Sequence, residues 1–528
     1  MTKSTKQFLY AAWLLLICSF ALLHALHLRA DFPNHTPWFN DWAKYTDEGW
    51  YANAAIRAHL FGHWYVPGDF NPAPAVPVWP LLAWVLFCFT GVTVEAARGL
   101  AVGFFFCNLM LSYLFLRARS TTERPRWVAL LALTLLVTSP FLYSFSRLAI
   151  LEPMLTALTL TALNLAVRLP RLRRPLLTSA AIGVLFTLMM LTKTTAVFLL
   201  PALGWTMLFP YRRDLKQGIR CAVAAAGGFA LTFALWMGVV IHAGLLADYK
   251  YLFFINKYDK PPEFYWPVLS FWWSFHGGLW VDHILIPLAG ALSLAVLFLW
   301  RTPSGRKLLL DPVFGASLLA AAGYILFMTY QNHPQPRYFA LVAFFCFFIV
   351  AMGAEALLGQ TGHRRKLGFG VLALTVSAVG VNCATTLNFA LHPEYTFVNA
   401  AQKLTRYIDE HPNGNRLLVS ISGDEITMMT HLPSLCDDFG TQELVAKLVA
   451  YQPGWWATWN DIDPGTLEDL HNHYSLEQVA SFRALDDPER NVLVLFKLHP
   501  LPGGAVRESA GASLQVPLPG DKILIPIE

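Results

Sequence analysis

Apolar runs long enough to cross a bilayer recur along this chain, and clusters of basic residues fall between them on alternate sides. Crossing the hydrocarbon core takes about 20 mostly apolar residues in a helix. Runs near 8–28, 95–116, 127–144, 148–167, 176–192, 195–209, 219–243, 284–300, 308–329, 338–357 and 367–391 meet or approach that length, which gives about eleven candidate spans. Composition agrees. Charged residues make up 14% of the chain and hydrophobic residues 55%, whereas a soluble domain carries about 25% charge. The strand alternation of a lipid-facing barrel is absent. The expected fold class is a polytopic α-helical membrane protein, and nothing calls for a nucleic-acid partner.

The arginines orient it. The segments 117–126 (RARSTTERPR), 168–174 (RLPRLRR), 211–216 (YRRDLK), 301–307 (RTPSGRK) and 363–366 (HRRK) all fall on one side, with Lys3 and Lys6 of the N-terminus. Basic loops stay cytoplasmic, so the remaining loops face out: 29–94, the turns near 145 and 193, the Trp-rich loop 244–283, the turn 330–338 and everything after about 392. The first run is long for a signal peptide and lacks a small-residue cleavage site, so it reads as an uncleaved span. The Pro-led segment 77–92 is too short to span comfortably and reads as interfacial. The expected division is a membrane domain, 1–392, whose first outside loop 29–94 bears interfacial helices, and a C-terminal extracytoplasmic α/β domain, 393–528. In that tail, amphipathic helical patterns alternate with short apolar strands. The seven cysteines show no paired spacing, which argues against a zinc site or a disulfide framework. Asn34-His35-Thr36 matches a glycosylation sequon, a match read as accidental.

Charge at a membrane boundary is costly and therefore a candidate for function. Asp47 and Glu48 follow the first span. Glu152 lies just inside a span that starts outside. Lys193 sits in a tight outside turn, and Arg337, with Tyr338, opens a late span from the outside near His333. The topology puts all of them at the outer rim. Cations there suit an anionic, phosphate-bearing group, and a carboxylate suits removal of a proton from an attacking hydroxyl. Plainer roles stand beside these. Asp47 and Glu48 could cap the helix that follows, Glu152 could pair with Arg147, and Lys193 could be a snorkelling lysine. A turn is the plain reading of ISGDEI, 421–426, and a solvated surface that of His471 and His473. A transporter or flippase would place charges at mid-depth and show inverted repeats with broken helices; neither is visible. A scaffold would need none of these charges.

The ordered set of motifs resembles the GT-C membrane glycosyltransferases, in particular the protein O-mannosyltransferase and aminoarabinose (ArnT-like) transferase group. The set comprises YTDEGWYANAAIRAHLFGHWYVP, a Pro-rich short helix, VTVEAARGLAVGFF, SRLAILEPMLTALTLTALNLAV, LLTKTTAVFLLPAL and PRYFALVAF, and covers most of 1–360. The resemblance implies an inverting transferase that uses a polyprenyl-phosphate sugar at the non-cytoplasmic face of a bacterial inner membrane, with the site and the tail facing the periplasm. It implies Asp47 as the catalytic carboxylate, Glu152 as a second acid, and Lys193, Arg337 and Tyr338 as donor-phosphate contacts. Glu48, Tyr51 and His333 are further substrate-binding candidates. The acceptor is a glycan, a lipid or a protein. Two features depart from the pattern: NPAPAVPVWP lacks the family's Lys-Pro-Pro, and Glu152 stands where Asp is usual. The resemblance implies little or no metal dependence, yet an acid pair binds cations without signature spacing, so a divalent cation is left open.

Overall fold

A computed structural model describes residues 3–33, 41–119, 126–255, 281–330, 335–460, 464–485, 487 and 490–501. His333, the sequon, and most of the Trp-rich loop lie outside them. The membrane-side helices are α1 (Lys3–Leu23), α2 (Asp47–Phe61), α3 (Val78–Thr90), α4 (Val94–Leu116), α5 (Arg126–Thr138), α6 (Pro140–Phe145), α7 (Leu151–Arg168), α8 (Pro175–Met190), α9 (Leu200–Leu208), α10 (Leu215–His242), α11 (Leu246–Lys250), α12 (Val281–Phe298), α13 (Pro303–Leu309), α14 (Pro312–Tyr330), α15 (Phe339–Leu358) and α16 (Gly362–Leu391).

Among the described residues five helical segments are long and apolar enough to cross a membrane, and six apolar helices are shorter. The run 127–144 is interrupted where Ser139 caps α6 through its hydroxyl and Pro140 opens the new helix, a position proline tolerates because its missing N–H would be unbonded anyway. The run 77–92 forms α3, packed on α2 and α4.

The bundle is built around α15. Of its best apolar window 78% is buried, against 6% for α10, so α15 is the central rod and α10 lies at the rim. Helices α5, α12, α14 and α16 surround it, and Leu341, Phe345, Phe348 and Met352 fill the core between them.

Beyond α16 the chain folds into α17 (Thr396–Glu410), α18 (Gly423–Thr430), α19 (Leu444–Tyr451), α20 (Pro464–His471) and the strands β1 (Leu418–Val419), β2 (Ser434–Leu435), β3 (Trp455–Trp459), β4 (Tyr474–Arg483) and β5 (Val492–Pro500). The sheet order is β2-β1-β3-β5-β4. The strands β1, β2 and β3 run parallel, while β5 pairs antiparallel with β3 and β4. Side chains alternate across a strand, and the two faces are separate: Leu418, Trp455, Ala457 and Leu495 pack under α17 with Phe397 and Leu404, while Val419, Trp456, Val494 and Phe496 pack on α19 with Leu448.

This unit is fastened to the loop that follows α1. Asp31 accepts hydrogen bonds from the Thr396 amide and hydroxyl at 2.7 and 2.6 Å, where α17 begins. Lys44 meets Asp487 at 2.6 Å, and Tyr45 joins the apolar cluster beneath α17.

Candidate active site

The site begins at a one-turn 3-10 helix, Trp42–Lys44, capped by Asp41, which accepts from the Ala43 amide at 3.0 Å. Helix α2 follows with Asp47 and Glu48 in its first turn, where exposed amides favour negative charge. Neighbours on a helix point about 100° apart, and these two acids part accordingly. Glu48, expected among the substrate-binding residues, points to Arg98 of α4. It takes hydrogen bonds from Nε at 2.8 Å and Nη2 at 2.5 Å, and a third from the Ala149 amide at 2.7 Å. Asp47 points the other way, with Oδ2 lying 3.1 Å from Nη2 of Arg337.

Arg337 sits in the 3-10 turn Pro336–Tyr338 that opens α15. Its Nη1 donates to Asp41 at 2.7 Å, and its own amide donates to the other oxygen of Asp41 at 2.9 Å. Arg337 is thus gripped between two aspartates. Lys193 lies in the turn after α8, its amide bonded back to Met189. Its ammonium pairs with Glu152 in the first turn of α7. Arg147, the partner the sequence offered for Glu152, donates instead to the carbonyls of Leu26 and His27.

Tyr338 joins the two halves. The Lys193 ammonium lies 4.3 Å from its ring centroid and the Arg337 guanidinium 5.2 Å, within the range where a cation is drawn to a ring face. Three helix starts, those of α2, α7 and α15, and the turn after α8 therefore bring Asp47, Glu152, Lys193, Arg337 and Tyr338 into one buried cluster. Tyr51 lies one turn along α2 from Asp47, and burial, reinforced by that carboxylate, holds its hydroxyl protonated.

Three polar atoms of the cluster, Oδ2 of Asp47, Oε2 of Glu152 and Nε of Arg337, are buried without a hydrogen bond. A buried unbonded polar group costs about 1–3 kcal/mol and calls for an explanation; a substrate that completes the bonding supplies one. Burial pushes the Asp47 carboxyl up, Arg337 pulls it back, and Asp41 and Glu152 push it up again. A carboxylate so placed is a stronger base than a solvated one.

Sequence reasoning passed over Asp41 and the Glu48–Arg98 pair. Asp41 follows no periodic pattern; its one signal is a second acid six residues before Asp47 among aromatics. Arg98 was visible only as part of a resembling motif.

Comparison of folds supplies the context. ArnT from Cupriavidus metallidurans, solved bound to undecaprenyl phosphate, superposes with a TM-score of 0.60 at 12% identity, covering 92% of this chain and 98% of that one. This chain shares the fold of ArnT. The apo form of ArnT gives a TM-score of 0.59 at 13% identity with the same coverage. Archaeal oligosaccharyltransferase AglB from Archaeoglobus fulgidus, in complex with an inhibitory peptide and a dolichol-phosphate, gives 0.50 at 12% identity over 86% of this chain and 70% of that one. No family model matches, and no curated protein matches in sequence. At such low identity the likeness is one of fold alone.

Proposed function

We propose that this protein is a multi-pass inverting glycosyltransferase that moves a sugar from a polyprenyl-phosphate carrier to a hydroxyl of a lipid, polysaccharide or protein. The reaction takes place at the extracytoplasmic face of a bacterial inner membrane. One observation carries the reading: two acids and two cations share a buried cluster in which Asp47, Glu152 and Arg337, though ion-paired, each keep one buried atom that makes no hydrogen bond. The lipid phosphates held by ArnT and AglB support the donor class.

In this scheme Oδ2 of Asp47 removes the proton of the acceptor hydroxyl. The oxygen attacks the anomeric carbon from the face opposite the phosphate, and the bond from that carbon to the phosphate oxygen breaks. The phosphate leaves with the electron pair, so the configuration at the anomeric carbon inverts. The departing charge is met by Lys193 and Arg337, the first a point charge and the second a planar fork. Glu152 holds Lys193 in place until the phosphate competes for it, and Tyr338 keeps both cations on one side.

The donor set bears on a divalent cation. Asp47 and Glu152 are each already paired with a basic side chain, and the described residues contain no group of three His, Cys, Asp or Glu suited to a metal. The positive charge is therefore assigned to side chains, with no metal in the scheme; undiminished transfer after exhaustive chelation is the expected result. Asp47→Asn keeps size and burial but removes the base. In proteoliposomes carrying a labelled polyprenyl-phosphate sugar, transfer should fall by about two to four decades while the protein stays folded. Full transfer by that variant excludes the role.

A further inference from the structure

Another buried acid pair, Asp424 and Glu425, sits where the C-terminal unit meets the loop helix α2. Helix α18 approaches α2 so closely that a Cβ on Gly49 would stand 2.2 Å from the Glu425 amide nitrogen; only glycine admits such contact. Side chains of α2 then stitch the two together. Trp50 donates to the Ile421 carbonyl at 3.1 Å, Asn53 to Asp424 at 3.1 Å, and Arg57 to Asp424 at 3.0 Å. Asp424 is thus fully engaged.

Glu425 is different. It is wholly buried, and neither of its carboxylate oxygens has a hydrogen-bond partner by strict geometry. Its charged neighbours are Glu48 and Asp47 on α2 and Arg98 on α4. Arg98 already spends its guanidinium on Glu48 and on the carbonyls of Leu28 and Ala30. Helix α17 meets α18 through apolar side chains such as Phe397 and Leu404, which pack around Ile426, and β2 offers Ser434 to Thr427. An ionised Glu425 would therefore sit unpaired beside a second carboxylate.

We propose that Glu425 is a positioning residue that works in its neutral form. Protonated, it rests against Glu48 and seats the C-terminal unit on α2, fixing the helix start from which Asp47 projects.

Burial pushes the Glu425 carboxyl well above its ordinary range, Glu48 pushes it further, and Arg98 pulls it down. The undocked carboxyl would ionise near its ordinary 4.5, so it loses its proton first as pH rises, and docking takes up a proton. The ratio of docked to undocked protein is therefore highest at low pH. It falls by up to about tenfold per pH unit until the docked group itself ionises.

Hydrogen–deuterium exchange on the full-length protein in detergent or nanodiscs, from about pH 5 to about pH 8, tests this without any mutation. After correction for intrinsic exchange, protection of α2 and α18 should decline together as pH rises. Glu425→Gln keeps the shape and cannot ionise; above about pH 6, to which burial raises the neighbouring Asp424 carboxyl, it should flatten that decline. Glu425→Ala, which cannot rest against Glu48, should lose protection at every pH. A wild-type profile with no pH dependence, or a Gln variant with the wild-type slope, overturns the proposal. The kinetic arm rests on the transferase reading: kcat of the wild type should fall with protection, and kcat of the Gln variant should not. If exchange follows the expected pattern but no sugar is transferred, the positioning pair stands and the transferase reading falls.

Discussion

Two buried ionic clusters lie at opposite ends of α2, and they are built to different rules. At the far end Arg57 meets Asp69 at 2.7 Å and Asp424 at 3.0 Å. Asn53 adds a bond to Asp424, Asn71 accepts from Arg57, and the Cys436 amide donates to Asp69. Neither Arg57, Asp69 nor Asp424 has a buried atom left over. At the near end Asp47, Glu152 and Arg337 each keep one buried atom without a hydrogen bond. The first cluster is a joint between the loop and the C-terminal unit. The second keeps hydrogen-bonding capacity that its own side chains do not use. Charge and burial are alike in both; only the completeness of the bonding separates them.

The largest effect that tests the contrast comes from the joint. Arg57→Ala leaves Asp424 buried without its cation and Asp69 with only the Lys447 ammonium, 3.6 Å away, and breaking a buried pair in this way costs about 3–5 kcal/mol. Thermal unfolding in detergent should show a large fall in the transition, with transfer lost along with the fold. A stable, active Arg57→Ala protein would remove the joint from the comparison. Next comes Lys193→Gln in the open cluster. The glutamine amide keeps a hydrogen-bond donor on the side of Glu152, so the fold should survive. Transfer should still drop by about two to three decades, as expected when one stabiliser of developing charge is removed. If transfer and stability fall in proportion, the cluster is a second joint. The smallest effect belongs to Tyr338→Phe. The ring that faces Lys193 and Arg337 is kept, and only the hydroxyl goes. A change in kcat/KM of less than about threefold fits a cation–ring contact alone; a loss of two decades would place the hydroxyl in the reaction.

Much of this was legible in the sequence, and what was not shares one cause. The apolar runs and the basic loops follow directly from membrane physics, and the acids and bases at the outer rim could be picked out because charge is rare there. The central place of α15 was not visible, since its run resembles the others until burial is known. In the tail, β4 is half-exposed along most of its length, so its sequence SLEQVASFR reads as loop until Val492–Pro500 pairs with it. ISGDEI reads as a turn, yet Gly423–Thr430 forms a helix, because what selects the helix is its seat on Gly49. Asp41, Glu48 and Glu425 acquire their roles from Arg337, Arg98 and one another, across separations that leave no local period.

The seat of α18 on α2 also has a bearing on biosynthesis. Asn53 and Asp424, which bond across it, are 371 residues apart. While the ribosome is still threading the bundle into the bilayer, the first loop has been made, but the surface that sets its helix has not. The two carboxylates at the head of α2 therefore reach their final places only after α18 has been made. A chain truncated before α18 would present a membrane bundle with its helices in order and the head of α2 without its seat.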